Sequence, residues 1–141
     1  KSMIAEAFLD ANVLLYASSS AAQDSQKRKV AQEIIVSTPF ALSAQVLQEY
    51  IANALRKKAL GISEANIDAM LEMAGNVNVL PITHSLILAA TVLRRRFQLS
   101  HWDASIVAAA QSLGCSILYS EDLSHGQNFD GLKVFNPFRG L

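Results

Sequence analysis

Apolar residues fall into short runs that alternate with longer stretches of helical spacing. Ala5 to Leu9, broken only by Glu6, reads as a short buried strand that ends on Asp10, with Asn12 two places on. Asn12 to Ser19 then reads as a short helix fraying into the small-residue loop Ser18-Ser19-Ser20-Ala21-Ala22. Lys27 to Val36 is a helix with Val30, Ile34 and Ile35 at core spacing, and Pro39 breaks it. Phe40 to Leu42 is a strand, and Ser43 is placed to cap a helix running to about Lys58. Gly61 ends that segment, and Ser63 caps the next helix, whose apolar side is Ile67, Met70, Leu71 and Met73. Val77 to Leu80 is a strand that stops at Pro81. Thr83 opens a helix reaching Arg94-Arg95-Arg96, and Ser100 opens another reaching Gly114. Cys115 to Tyr119 and Leu132 to Phe135 are strands, and Ser124 to Gly131 between them is polar and irregular.

Strands that alternate with helices predict a parallel sheet with helices on both faces and right-handed crossovers. The 141 residues, 51% of them apolar, suit one domain over 1–141 with a sizeable core. No apolar run approaches the length of a membrane span. Glu6 and Asp10 interrupt any signal-peptide-like core near the start. Lys1-Ser2 ahead of Met3 reads as a cloning remnant. The lone cysteine, Cys115, sits in an apolar run and reads as a buried thiol in a reducing cytosol.

Formal net charge is zero, which argues against gripping nucleic acid by bulk charge. The distribution says more. Nine of the twelve basic residues form three triplets, Lys27-Arg28-Lys29, Arg56-Lys57-Lys58 and Arg94-Arg95-Arg96, each on a predicted helix. They serve either as solvated helix faces or as phosphate contacts.

Most of the twelve acids sit in helix starts or on polar helix faces, but four stand out by position. Asp10 ends the first strand, and Asp122 lies just past the Cys115–Tyr119 strand. Asp103 falls in the first turn after Ser100, and Glu49 in the second turn after Ser43. Each also has a structural reading. Asp10 suits a helix cap, Ser100-x-x-Asp103 resembles a capping box, and Asp122 suits a turn begun by Ser120. Glu49 shares a helical angle with Gln45, Asn53 and Arg56, facing either solvent or a polar cleft. In a parallel sheet, Asp10 and Asp122 leave their strands at the same carboxyl edge. The first turns of the following helices lie there too. Carboxylates crowded at one edge repel and raise each other's pKa, and a divalent cation relieves this. An oxygen-only set suits Mg2+ or Mn2+, whose usual work is phosphoryl transfer or phosphodiester hydrolysis.

Four segments together resemble the PIN-domain family, and within it the VapC-type toxin ribonucleases of type II toxin–antitoxin pairs. They are Phe8-Leu9-Asp10-Ala11-Asn12-Val13-Leu14, Leu42-Ser43-Ala44-Gln45-Val46-Leu47-Gln48-Glu49, Ser100-His101-Trp102-Asp103-Ala104-Ser105-Ile106-Val107-Ala108-Ala109-Ala110 and Ile117-Leu118-Tyr119-Ser120-Glu121-Asp122-Leu123. The resemblance implies a three-layer α/β/α fold around a central, mostly parallel five-stranded sheet. It implies that Asp10, Glu49, Asp103 and Asp122 are the catalytic, metal-binding acids, supported through hydrogen bonds by Asn12 and Ser120. It also implies Mg2+- or Mn2+-dependent cleavage of an RNA substrate, a homodimer and a cognate antitoxin partner in the cytoplasm. Glu121 departs from the pattern as a fifth acid that either competes for the ion or points to solvent. The alternative is a catalytically silent PIN-fold module that binds RNA or protein. Trp102 reads as a core or dimer anchor rather than a base-stacking platform. His84, His101 and His125 lack zinc spacing, and Met70 and Met73 read as core.

Overall fold

A computed structural model describes residues 5–141, so the Lys1-Ser2 pair read as a cloning remnant lies outside the described residues. Six strands form one sheet: β1 (Ala7–Leu9), β2 (Phe40–Ser43), β3 (Val79–Leu80), β4 (Ile117–Tyr119), β5 (Asn128–Phe129) and β6 (Leu132–Phe135). Their order is β3-β2-β1-β4-β6-β5. The first five strands across that order are parallel, and β5 alone runs antiparallel, paired to β6. The mostly parallel sheet is therefore as the sequence predicts. β5 is the addition, a short hairpin arm inside the stretch read as irregular. Its turn is made by Asp130 and Gly131, both at positive φ, with the Gly131 N–H donating to Asn128 Oδ1.

Six helices connect these strands: α1 (Ala11–Ser18), α2 (Ser25–Ser37), α3 (Ala44–Arg56), α4 (Glu64–Ala74), α5 (His84–Phe97) and α6 (His101–Ser112). The four hydroxyl caps expected from sequence are in place. Ser43, Ser63, Thr83 and Ser100 each accept a hydrogen bond from the backbone N–H three residues on, satisfying a donor the helix itself leaves unpaired. Gly61 takes the left-handed φ of +63° and ends the short 3-10 turn Lys58–Leu60 that follows α3. The segment between α1 and α2 is tied down: Ser20 N–H donates to the Leu60 carbonyl, Ser19 Oγ to Asp24, and Arg28 to the Ser19 carbonyl.

The connections explain where a site forms. From β1 the chain steps one way along the sheet, through α1 and α2 to β2, then through α3 and α4 to β3. From β3 it returns through α5 and α6 to β4, on the far side of β1. With right-handed crossovers, that reversal puts α5 and α6 on the opposite face from α1–α4. The helices pack accordingly, α5 on α6 and α1 on α2, α3 and α4. The reversal falls between neighbouring β1 and β4, and a crevice opens at the carboxyl ends of such a strand pair.

Phe8, Leu9, Val13, Leu14, Leu42, Val46, Tyr50, Val107 and Leu118 are fully buried around the sheet. Cys115 is buried as expected, and burial pushes its thiol up to about 11. No helix among the described residues is long and apolar enough to cross a membrane.

Candidate metal centre

The β1–β4 crevice is built from two turns that hold each other. Asp10 leaves β1 and caps α1, with the Ala11 N–H donating to its Oδ1 at 2.8 Å. Ser120 leaves β4 fully buried and donates its hydroxyl to the other Asp10 oxygen at 2.7 Å. The same hydroxyl accepts the Asp122 N–H at 3.1 Å, so Ser120 shapes the turn that aims Asp122. Asn12, buried in the first turn of α1, donates its amide to Asp122 Oδ2 at 3.2 Å and accepts the Glu121 N–H. The capping and turn readings of Asp10 and Asp122 thus hold together with a place in the cleft.

Glu49 reaches the crevice from α3. A cleft of about 140 Å³ is lined by Asp10, Asn12, Tyr16, Glu49, Asn53, Lys57, Glu121 and Asp122, among others. Glu49 therefore faces this cleft rather than open solvent. Gln45 Nε2 holds its carboxylate at 2.9 Å and also donates to the Trp102 carbonyl, linking α3 to the first turn of α6. Asp103 sits in that turn, its N–H donating to Ser100 Oγ. It does not line the cleft itself, but the Asp122 charge reaches it. Burial raises the Asp103 pKa, the Ser100 hydroxyl opposes the rise, and Asp122 adds to it.

Asp10 is the electrostatic centre. It is only 4% exposed, and its pKa is pushed from 3.8 up to about 7. Burial is the main cause, the bonds from Ser120 and Ala11 oppose it, and the charges of Asp122 and Glu49 add to it. Among the described residues, no lysine or arginine pairs with Asp10, Glu49, Asp103 or Asp122. The donors here are carboxylate and amide oxygens, with no histidine or cysteine lining the cleft, so the set fits a hard divalent cation. Among the described residues, however, no three acidic, histidine or cysteine side chains already stand close enough to hold an ion. The donor chemistry fits; the cage is not preassembled.

The structure narrows two open readings. Glu121 lines the same cleft as the other acids, and its carboxylate is already held by other side chains. Tyr16 donates its hydroxyl to the Glu121 carboxylate at 2.7 Å, and Lys27 lies 3.8 Å from the same carboxylate and over the Tyr16 ring. Burial, and then Glu121, raise the Tyr16 pKa. Trp102 is no core residue: it is 64% exposed, its ring edge-on to His101, because the α6 start turns its side chain outward while its carbonyl takes Gln45. Tyr16, Lys27 and Gln45 were missed by the sequence reading. Tyr16 and Gln45 carried a signal, each standing four residues from an assigned polar residue, Asn12 and Glu49, on the same helix face. Lys27 had none.

The model of the PIN domain matches residues 7–127 of this chain. No curated protein is detectably similar in sequence. Among solved structures, the chain is similar to a toxin–antitoxin complex from Klebsiella pneumoniae, with a TM-score of 0.68 and 19% identity, covering 94% of this chain and 98% of that one. It is also similar to VapC20 of Mycobacterium tuberculosis, a toxin that cleaves the sarcin–ricin loop, with a TM-score of 0.64 and 21% identity, covering 81% and 88%. A third likeness is to VapBC2 of Rickettsia felis bound to a DNA fragment from its promoter, with a TM-score of 0.62 and 15% identity, covering 91% and 96%. At these identities the likenesses bear on the fold.

Proposed function

Since the chain belongs to the PIN-domain family, we propose that it is a Mg2+- or Mn2+-dependent endoribonuclease, the toxin of a VapC-type toxin–antitoxin pair. One observation carries the reading: Asp10, Glu49 and Asp122 share one cleft, the Asp122 charge reaches Asp103, and among the described residues no basic side chain forms an ion pair with any of them. Asp10, Glu49, Asp103 and Asp122 are the residues to hold the ion. When bound, it orients the substrate phosphate, makes the attacking water more acidic and offsets charge on the leaving oxygen. The chain supplies the rest. Ser120 and the Ala11 N–H fix both oxygens of Asp10, and Asn12 fixes Asp122, so neither carboxylate needs to be ordered when substrate arrives. Asp10 loses its proton before it serves as a ligand. Tyr16 and Lys27 hold the Glu121 carboxylate.

The solved neighbours that are toxin–antitoxin assemblies support an antitoxin partner for this chain. Exposed Ile87, Leu88 and Val92 on α5 offer apolar surface for the homodimer. A cytoplasmic location, where RNA and antitoxin both reside, goes with the same reading.

The absence of a preassembled cage among the described residues favours a second reading, a silent PIN-fold module that binds RNA or protein. Incubation of purified protein with total RNA separates the two. The nuclease cuts with Mg2+ or Mn2+, and EDTA or Asp10→Asn stops it. Cutting that persists in Asp10→Asn removes the assignment of the site. No cutting, with no heat of Mn2+ binding by calorimetry, supports the silent module.

A further inference from the structure

Along α3, Gln45, Glu49, Asn53 and Lys57 follow one another at four-residue spacing, the last at the helix C-cap. Four residues make about one turn, so they form a polar stripe on one face, while Val46, Tyr50 and Ala54 are buried on another. Glu49, Asn53 and Lys57 all line the acid cleft. The stripe therefore leads from the carboxylates outward, and Lys57 stands roughly 12 Å along the helix from Glu49 at 1.5 Å per residue.

The three basic triplets are not equivalent. Lys27 is committed to Tyr16 and Glu121. Arg28 is committed to the Ser19 and Ala21 carbonyls, Arg56 to Asn53, and Arg96 to both oxygens of Asp130. Lys57 is the basic residue that lines the acid cleft, and among the described residues its ammonium has no hydrogen-bond or ion-pair partner. Its backbone N–H closes the helix onto the Asn53 carbonyl, which fixes where the side chain starts. Its charge also sits at the negative end of the α3 dipole. A polyanion entering a cleft of carboxylates meets repulsion at the acid end, and the outer end needs a free cation to draw it in.

We propose, building on the nuclease reading, that Lys57 binds a phosphate of single-stranded RNA other than the one cleaved, and so sets the strand's position on the acids. The test is fluorescence anisotropy with a fluorescein-labelled single-stranded oligoribonucleotide over a salt series, in the Asp10→Asn background so that binding is read without cleavage. Adding Lys57→Gln weakens binding several-fold and makes the slope of log affinity against log salt shallower by about 0.7, one phosphate contact on a single strand. Arg95→Gln, in the remote triplet, leaves both unchanged. With Asp10 intact, Lys57→Gln raises KM for RNA and leaves kcat within about a factor of two, which general misfolding would not do. Unchanged affinity and slope in Lys57→Gln, alongside normal cleavage by the otherwise wild-type protein, overturn the Lys57 assignment alone. No RNA binding by the parent, together with no cleavage, overturns it along with the nuclease reading.

Discussion

On the strand side of the cleft, Asp10, Asn12, Ser120 and Asp122 hold one another through three hydrogen bonds between 2.7 and 3.2 Å, with three of the four residues buried. On the helix side, Glu49 and Asp103 are half-buried, sit on two different helices, and are linked through Gln45, which donates to Glu49 and to the Trp102 carbonyl next to Asp103. The strand side owes its order to the sheet. β1 and β4 are adjacent and in register, so the residues that leave them emerge side by side. The helix side owes its position to caps, which fix where a helix starts but leave the carboxylate in its second or first turn free to turn. This is a physical reason why, among the described residues, no three of these acids already form a cage. On the metal-dependent reading proposed above, the strand side is organised before an ion arrives and the helix side would close on it afterwards.

That contrast is tested most severely at Ser120. Its hydroxyl serves both Asp10 and the Asp122 N–H. Ser120→Ala leaves a buried carboxylate oxygen and a backbone donor short of a partner, at a cost to stability of roughly 1–3 kcal/mol by urea unfolding. Losing the hydrogen-bonding support of a metal ligand costs about 10–100-fold in activity or metal affinity, and Ser120→Ala is expected in that range for RNA cleavage and Mn2+ binding. A variant with wild-type cleavage would show that the strand side is not the organised half.

A smaller effect is readable without substrate. Asp10 keeps its proton up to about 7 in the folded protein but releases it near 3.8 when unfolded. The folded state binds that proton more tightly, so the stability it confers is complete below the unfolded value and is lost as pH rises through the folded one. In EDTA, the melting temperature of the wild type therefore gains an Asp10-dependent fall between pH 4 and pH 7, about the window set by those two values. Asp10→Asn, which cannot ionise, lacks that component, and thermal melts of the two proteins at several pH values show the difference. Parallel curves would mean that the Asp10 carboxyl is not held in a buried, acid-crowded site.

The strand side was also the more legible in the sequence. A buried run that ends on Asp10, and a second run followed by Ser120 and Asp122, announce a shared carboxyl edge because parallel strands start and stop together. The four hydroxyl caps were legible for a similar reason, since each satisfies a local donor within three residues. What escaped depended on contacts between distant segments. The partners of Glu121 are not legible in the sequence because Lys27, which pairs with it, lies 94 positions earlier in the chain. The core half of the Trp102 reading fails because only the direction of the α6 start decides that its side chain lies outside, and an exposed tryptophan stays compatible with the dimer-anchor half. The β5 arm rests on a hairpin whose turn places Asp130, not only glycine, at positive φ, and a polar stretch gives little warning of that.

The mildest expected effect belongs to Gln45, and it decides whether the two sides truly differ. Gln45 is buried, and its amide bridges Glu49 on α3 to the Trp102 carbonyl beside Asp103 on α6. Gln45→Ala removes that bridge without touching an acid. If the helix side is adjustable, Glu49 and Asp103 still reach the ion from their own helices, and the loss in kcat stays below the roughly 10-fold floor typical of a ligand's hydrogen-bonding partner. Gln45→Glu is more damaging than Gln45→Ala, since it sets a like charge against Glu49 one helical turn away. Cleavage rates of these variants measured beside Ser120→Ala give the ranking. If Gln45→Ala falls as far as Ser120→Ala, the helix side is as preorganised as the strand side, and the order of assembly argued from the geometry does not hold.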